Sequence, residues 1–470
     1  MEHKNTWETY SAEQMKEMDA FADRYRDFLD HGKTERECID QIVNRIEKEG
    51  YQELEVLEKK KTALKPGDKV YSVWMNKSIV MFQIGKEKMT QGLNILGAHI
   101  DSPRLDIKQN PLYEDGGFAY LDTHYYGGVK KYQWVTIPLA IHGVIVKKDG
   151  TTVEVSVGEN EDDPVFFVSD LLIHLAQEQL EKKASKVIEG EALDIIVGNK
   201  PLVIDKKKDE EKSKDKQAVK EGILDILKAT YDVEEEDFIS AELEVVPAGK
   251  AREAGFDRSM ILAYGQDDRV CAFSSLEAML EMEVPERTAC CILVDKEEIG
   301  SVGATGMQSK FFENAVAEVM DLAGEYSELN LRRCLSHSCM LSSDVSSAYD
   351  PSYASSFDKK NVAYLGGGMV FNKFTGARGK SGSNDANAEY MGYIRGIFEK
   401  DKINFQTAEL GKVDLGGGGT IAYILALYGM NVIDSGVAVL NMHAPWEATS
   451  KADVYETKRG YVAFLHGTGL

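Results

Sequence analysis

Two adjacent glutamates, Glu297 and Glu298, follow an apolar run over residues 289–294 that reads as a buried strand. Carboxylates in such a place suit hydrolysis: one binds a divalent ion while the other moves a proton. Neighbours on a strand point to opposite faces, so the pair can split these two roles between them. Both reach one site only if the backbone turns, which Gly300 and Gly303 permit. Groups of the same chemistry close other strand-like runs. His99 and Asp101 follow residues 93–98, in a His-x-Asp spacing where the aspartate orients an imidazole whose other nitrogen binds metal. Asp267 and Asp268 follow 260–264; Asp268 alone could cap the next helix, and one of the two could instead join two ions. Asp344 follows 338–341, and His443 follows 432–440. Each of these has a plain structural explanation when taken singly, such as an acidic turn, an Asx-turn or a surface histidine. Together, at the strand ends of one sheet, they suit a pair of Zn²⁺-like ions about 3.5–4 Å apart. No His-Glu-x-x-His occurs, which excludes a single-zinc helix site.

The elements that must position these groups alternate from about residue 249. Strands are expected over 260–264, 288–294, 338–341 and 432–440. Helices are expected over 269–282, 310–326, 384–398 and 419–427, with Ser450 capping the last one. This alternation predicts an α/β sandwich with a mainly parallel sheet, whose sites lie beyond the carboxyl ends of the strands. Towards the N-terminus, Ser11 with Gln14 and Thr34 with Glu37 form capping boxes that open two amphipathic helices. Residues 70–74 and 78–84 flank Asn76-Lys77 as a hairpin. Composition changes after about residue 107, with strand-like runs over 136–146, 151–157 and 238–246 and a helix from Ser169 to about Lys183. Residues 108–248 therefore read as an inserted domain, with 1–107 and 249–470 as the two parts of a catalytic domain. Segment 206–216, KKKDEEKSKDK, holds no apolar residue and reads as a solvated loop or flexible insertion.

The totals narrow the function. The formal net charge of −23 argues against nucleic acid or an anionic membrane as a partner. No apolar run reaches the roughly 18 residues of a membrane span, and the first residues lack the apolar core of a signal peptide. The six cysteines form neither a Cys-x-x-Cys nor a regular framework, and several lie in apolar runs, so a reducing cytoplasm fits.

The motifs 97–103 (GAHIDSP), 266–270 (QDDRV), 295–301 (DKEEIGS), Ser343-Asp344 and 441–443 (NMH) form an ordered set. That set resembles the aspartyl aminopeptidase and vacuolar aminopeptidase I family of co-catalytic di-metal aminopeptidases, over nearly the whole chain. The resemblance implies a three-layer α/β/α metallopeptidase domain with an inserted, mainly-β dimerisation and lid domain. It implies two divalent ions per chain, Zn²⁺ or alternatively Co²⁺ or Mn²⁺, held by His99, Asp267, Glu298, Asp344 and His443. Asp267 would be the bridge, because the family ligand stands six residues before a phenylalanine, here Phe273; the peptide after that aspartate is often cis. Glu297 would be the general base, and Asp101 the partner of His99. Substrates would be peptides with a free N-terminus. Relatives form dodecamers built from dimers, and a histidine of the inserted domain reaches the neighbouring site. At that position this chain has Asp170, with His174 four residues on as the candidate. Acidic preference in the family depends on a basic residue near 366–389. Lys373, Arg378 and Lys380 are available here, in a segment longer than in aspartate-specific members.

Two phosphate-like features are decoys. Gly379-Lys380-Ser381 lacks the glycine that a phosphate loop needs at Phe374. Gly416 to Gly419 could cradle phosphate but more simply allow close backbone passage. A nucleotide-binding protein is thus one alternative. Others are a metal-binding member without catalysis, and a carboxypeptidase or deacylase on the same di-metal scaffold.

Overall fold

The computed structural model describes residues 5–202 and 217–470; the charged segment 206–216 lies outside them. Contacts divide the chain into two units. One comprises Met1–Ser102, Ala251–Met442 and Trp446–Leu470, and the other comprises Pro103–Lys250 with His443–Pro445.

The first unit is built on a nine-stranded sheet. Its centre runs Ser78–Gln83, Ala289–Val294, Asn94–His99, Cys339–Ser343, Asn431–Gly436 and Met369–Asn372. The middle four of these are mutually parallel, with Val294 level with His99 and Ser343 level with Ser435. Their carboxyl ends therefore share one edge. Side chains alternate between two apolar layers, as strand geometry requires. Leu96, Ala98, Cys291, Leu293 and Leu341 join the layer containing Phe21, Phe273 and Tyr461. Ile95, Ile292 and Met340 join the layer containing Phe312, Val316 and Leu425. Helices cover both faces, giving three α/β/α layers. Both capping boxes form: Ser11 and Thr34 each accept an N–H three residues on, and Gln14 and Glu37 reciprocate.

A second sheet of five short strands contains Arg252–Ala254, Met260–Ala263, Glu447–Ser450, Ala438–Leu440 and Ser346–Ser347. It corrects the expectation of one sheet. The run 432–440 breaks at Val437, its first half entering the large sheet and its second half the small one. Asp267 and His443 thus follow strands of the small sheet. Other expected elements shift. The helix expected over 310–326 is Phe311–Leu322, and Glu328–Ser336 follows separately. The helix expected from Asn384 is capped by Asn387 and spans Ala388–Asp401. The helix expected over 419–427 shortens to Ala422–Ala426.

The inserted unit is mainly β, an antiparallel sheet ordered Thr152–Val157, Leu139–Val146, Ala241–Pro247, Arg104–Asp115, Phe118–Tyr126 and Ile195–Gly198. The helix expected from Ser169 to Lys183 is absent. A 3-10 turn, Ile173–Leu175, and a single helical turn, Gln177–Leu180, take its place. Its apolar residues do space helically, but Leu172, Leu175 and Leu180 are exposed rather than packed on a core. Among the described residues, no helix is long and apolar enough to cross a membrane.

Candidate metal centre

His99 is the last residue of a central parallel strand, and the strands on either side lead into the other groups at the same edge. Ile100 N–H donates to Val294 O at 2.8 Å, aligning the exit of the histidine strand with the strand that leads to the glutamates. On the other side, Asp344 N–H donates to Ser435 O at 3.1 Å, immediately after Ser343. Nε2 of His99 lies 3.3 Å from Asp267 Oδ1, 4.0 Å from Asp344 Oδ1 and 3.9 Å from Glu297 Oε2. One donor atom each from His99, Asp267 and Asp344 falls within 4.8 Å of the others, and a carboxylate oxygen of Glu298 lies within the same distance of Asp267.

Burial makes the cluster electrostatically costly without a cation. It pushes the Asp344 carboxyl well above the usual carboxylate range, with Asp268 adding to the shift. It opposes protonation of His99, but the hydrogen bonds that the imidazole donates to Asp101 and Asp267 outweigh it and hold the imidazole well above its ordinary pKa. One nitrogen and several oxygens converging in a mostly buried cluster are the donor chemistry that suits Zn²⁺. The residues present therefore fit a divalent ion.

Asp101 is fully buried, and its role is wider than its spacing to His99 suggested. His99 Nδ1 faces the Asp101 backbone oxygen at 3.0 Å and Oδ1 at 3.3 Å. The same carboxylate also accepts Glu297 N–H at 3.1 Å and Glu298 N–H at 3.2 Å. The glutamates sit on a 3-10 turn, Glu297–Ile299, entered through left-handed Lys296 (φ 69°) and left through Gly300 (φ 98°). The strand has already ended at Val294. Turn geometry rather than strand alternation therefore sets the two side chains apart, which corrects the sequence-based expectation.

Asp267 and Asp268 interrupt the start of the helix Gln266–Glu281 with non-helical φ/ψ, and the peptide between them is cis. Asp267 N–H donates to Glu447 Oε2 at 3.0 Å, and Ser102 Oγ donates to Asp267 O at 2.7 Å. Asp268 is fully buried, with neither oxygen in a well-formed hydrogen bond. Burial pushes its carboxyl well above the usual range. It is therefore not the cap of this helix. The sequence reading gave no role to Glu447, which is itself 1% exposed. Its only sequence signal is its place two residues after Pro445, where the strand Glu447–Ser450 begins.

His443 groups by contacts with the inserted unit, where its Nδ1 faces Gly128 O at 3.1 Å. His174 is exposed on the 3-10 turn of that unit. Lys373 and Lys380 lie on a hairpin where both reach Asp385, at 3.3 and 2.9 Å.

Comparison with known proteins agrees with this chemistry. Residues 28–465 match the model of the aminopeptidase I zinc metalloprotease family, M18. A probable M18 family aminopeptidase 1 of Clostridium acetobutylicum is 63% identical over 465 residues, covering 99% of this chain and 98% of the relative. The crystal structure of an M18 family aminopeptidase from Thermotoga maritima superposes with a TM-score of 0.92 at 44% identity, covering 99% of both chains. The fold extends to the structure of the S. cerevisiae mApe1 dodecamer, with a TM-score of 0.75 at 20% identity, covering 96% of this chain and 97% of that one. On these matches the chain belongs to the M18 family, and it is a zinc-dependent metallo-aminopeptidase.

Proposed function

We propose that the chain removes single N-terminal residues from peptides at a site where His99, Asp267, Glu298, Asp344 and His443 would hold two divalent ions, Asp267 contributing to both. The observation that carries this reading is the convergence of His99, Asp267 and Asp344 beside Glu297 at one sheet edge. When bound, the ions polarise the scissile carbonyl and acidify the attacking water. Glu297 takes the proton of that water and later delivers it to the leaving amine. Asp101 fixes the backbone of both glutamates, so the base and the neighbouring ligand keep one spacing. Glu447 and Ser102 anchor the Asp267 backbone in the same way.

The wider reading has four parts. Residues 1–107 and 249–470 form the catalytic domain, and 108–248 form a dimerisation and lid domain. Copies assemble as a dodecamer of dimers; the apolar side chains exposed around His174 (Leu172, Ile173 and Leu175) support burial against another copy, with His174 reaching the neighbouring site. The enzyme works in the cytoplasm, which the six free, buried cysteines support. Acidic first residues are the candidate preference, met by the cations of the hairpin that carries Lys373, Arg378 and Lys380.

The test combines three measurements on one preparation. E297Q should lose about 10²–10⁴-fold in turnover while metal analysis still finds about two ions per chain. A panel of aminoacyl chromogenic substrates with N-acetylated controls should show cleavage that requires a free amine, and comparison of Asp, Glu, Leu and Ala substrates reads the preference. Light scattering should report a mass of about twelve chains. Retained turnover in E297Q removes the base assignment, and a stable monomer removes the assembly.

A further inference from the structure

Asp434 is a buried carboxyl that none of the roles above employs. It lies on Asn431–Gly436 in the interior of the large sheet, level with Ser342 on one neighbouring strand and Asn372 on the other, and is 1% exposed. Its Oδ1 accepts the hydroxyl of Thr420. Its Oδ2 is buried without a well-formed hydrogen bond, facing the Ser342 hydroxyl on the same rung. An apolar residue would occupy this rung without the cost of burying a carboxyl, so the contribution of Asp434 is positional.

What it positions is the glycine run 416–419, which Thr420 closes. The Thr420 oxygen also accepts Ala422 N–H at 3.2 Å, so one side chain joins the run, the following helical turn and the sheet. The run is held on its other side too. Gly376 N–H donates to Gly418 O at 2.7 Å, and Gly416 and Gly417 pack so closely on Leu410 O and on Gly376 and Ala377 that neither has room for a Cβ. Gly419 differs, because a Cβ there would meet open space. The rung lies near the carboxyl ends of the strands, Asp434 being level with Ser342 two residues before Asp344, and Gln308 Nε2 ties the turn after Thr420 to the glutamate turn by donating to Tyr423 Oη at 3.2 Å and to Gly300 O at 3.0 Å.

We propose that Asp434 is a positioning residue for the peptidase reaction: through Thr420 it fixes the glycine run beside Glu297, so that the open backbone at Gly419 forms a wall of the cleft that receives the peptide. The proposal rests on Glu297 as the base. The two claims fail separately, because an active E297Q removes the base while leaving the binding series below readable.

The test is steady-state kinetics of the zinc-loaded enzyme on aminoacyl anilides and tripeptides, with metal content and melting temperature measured alongside. T420V should raise KM about tenfold with kcat within about threefold of wild type, and T420S should restore KM. D434A, which removes the acceptor, should match T420V, whereas D434N, which keeps an oxygen for Thr420, should stay near wild type. A wild-type KM in T420V overturns the proposal. So does a KM rise that T420S does not repair, or a D434A variant that loses zinc and stability together while T420V is silent.

Discussion

Asp101 holds Glu297 by its backbone, Oδ1 accepting the Glu297 N–H at 3.1 Å. Its second oxygen accepts the Glu298 N–H at 3.2 Å, so one carboxylate sets the backbone of both glutamates. Changing Asp101 to Asn places an amide NH2, itself a donor, against one of these donors. D101N should therefore lower kcat/KM by about 10–100-fold and weaken metal retention, as read by kinetics and metal analysis on the same sample. A D101N enzyme with wild-type kcat/KM would show that the glutamate turn holds itself.

Removing the metal should abolish activity and lower the melting temperature together. Asp267 and Asp344 converge on His99 within 4.8 Å, and an ion held there binds the folded chain and not the unfolded one. Dialysis against a chelator, followed by Zn²⁺, Co²⁺ or Mn²⁺, should remove and then restore both activity and melting temperature. Indifference of the activity to chelation would contradict a metal-dependent reaction.

Asp453 makes stability depend on pH. It is fully buried at the start of the helix Lys451–Leu465 and accepts the N–H groups of Gly366 and Gly368, each at 2.8 Å. Burial nevertheless pushes its pKa up to about 7, against the two amides that lower it. The folded pKa thus lies above the unfolded value of about 3.9. Between about pH 4 and pH 7 the native chain keeps a proton that the unfolded chain has lost, so stability falls as pH rises through this window. The span corresponds to roughly 4 kcal/mol. D453N should flatten this part of the profile in urea unfolding followed from pH 4 to pH 8, at a cost of about 1–3 kcal/mol for the amide that loses its acceptor. An unchanged slope would assign the pH dependence to other groups.

Thr34 should show a pure capping effect. Its hydroxyl accepts Glu37 N–H at 3.2 Å, and Glu37 returns the bond to Thr34 N–H at 3.0 Å. T34A should lower stability by about 1 kcal/mol, seen as a lower urea midpoint with unchanged kcat/KM, and T34S should recover most of the loss.

The capping boxes were legible because the whole device lies within four residues. His99, Glu297 and Asp344 were legible for a related reason: each directly follows an apolar run long enough to be read as a buried parallel strand. Asp267 and His443 were found as residue types, but their sheet was not, since strands as short as Ser346–Ser347 leave no periodicity to read. Leu172, Leu175 and Leu180 misled because helical spacing reports a shared apolar face without saying that this chain covers it. Glu447 and Asp434 were missed because their value lies in long-range contacts, to the backbone of Asp267 and to Thr420, that no local pattern encodes.

The strand Asn94–His99 lies between Ala289–Val294 and Cys339–Ser343. On the ribosome it emerges long before either neighbour, which begin at residues 289 and 339. During that interval a largely apolar strand has two unpaired edges, a template for pairing with the wrong chain. The strand that ends in His99 is thus also a segment of the nascent chain that calls for protection, and mutations that slow synthesis between residues 100 and 340 should lower the yield of folded enzyme without touching its finished structure.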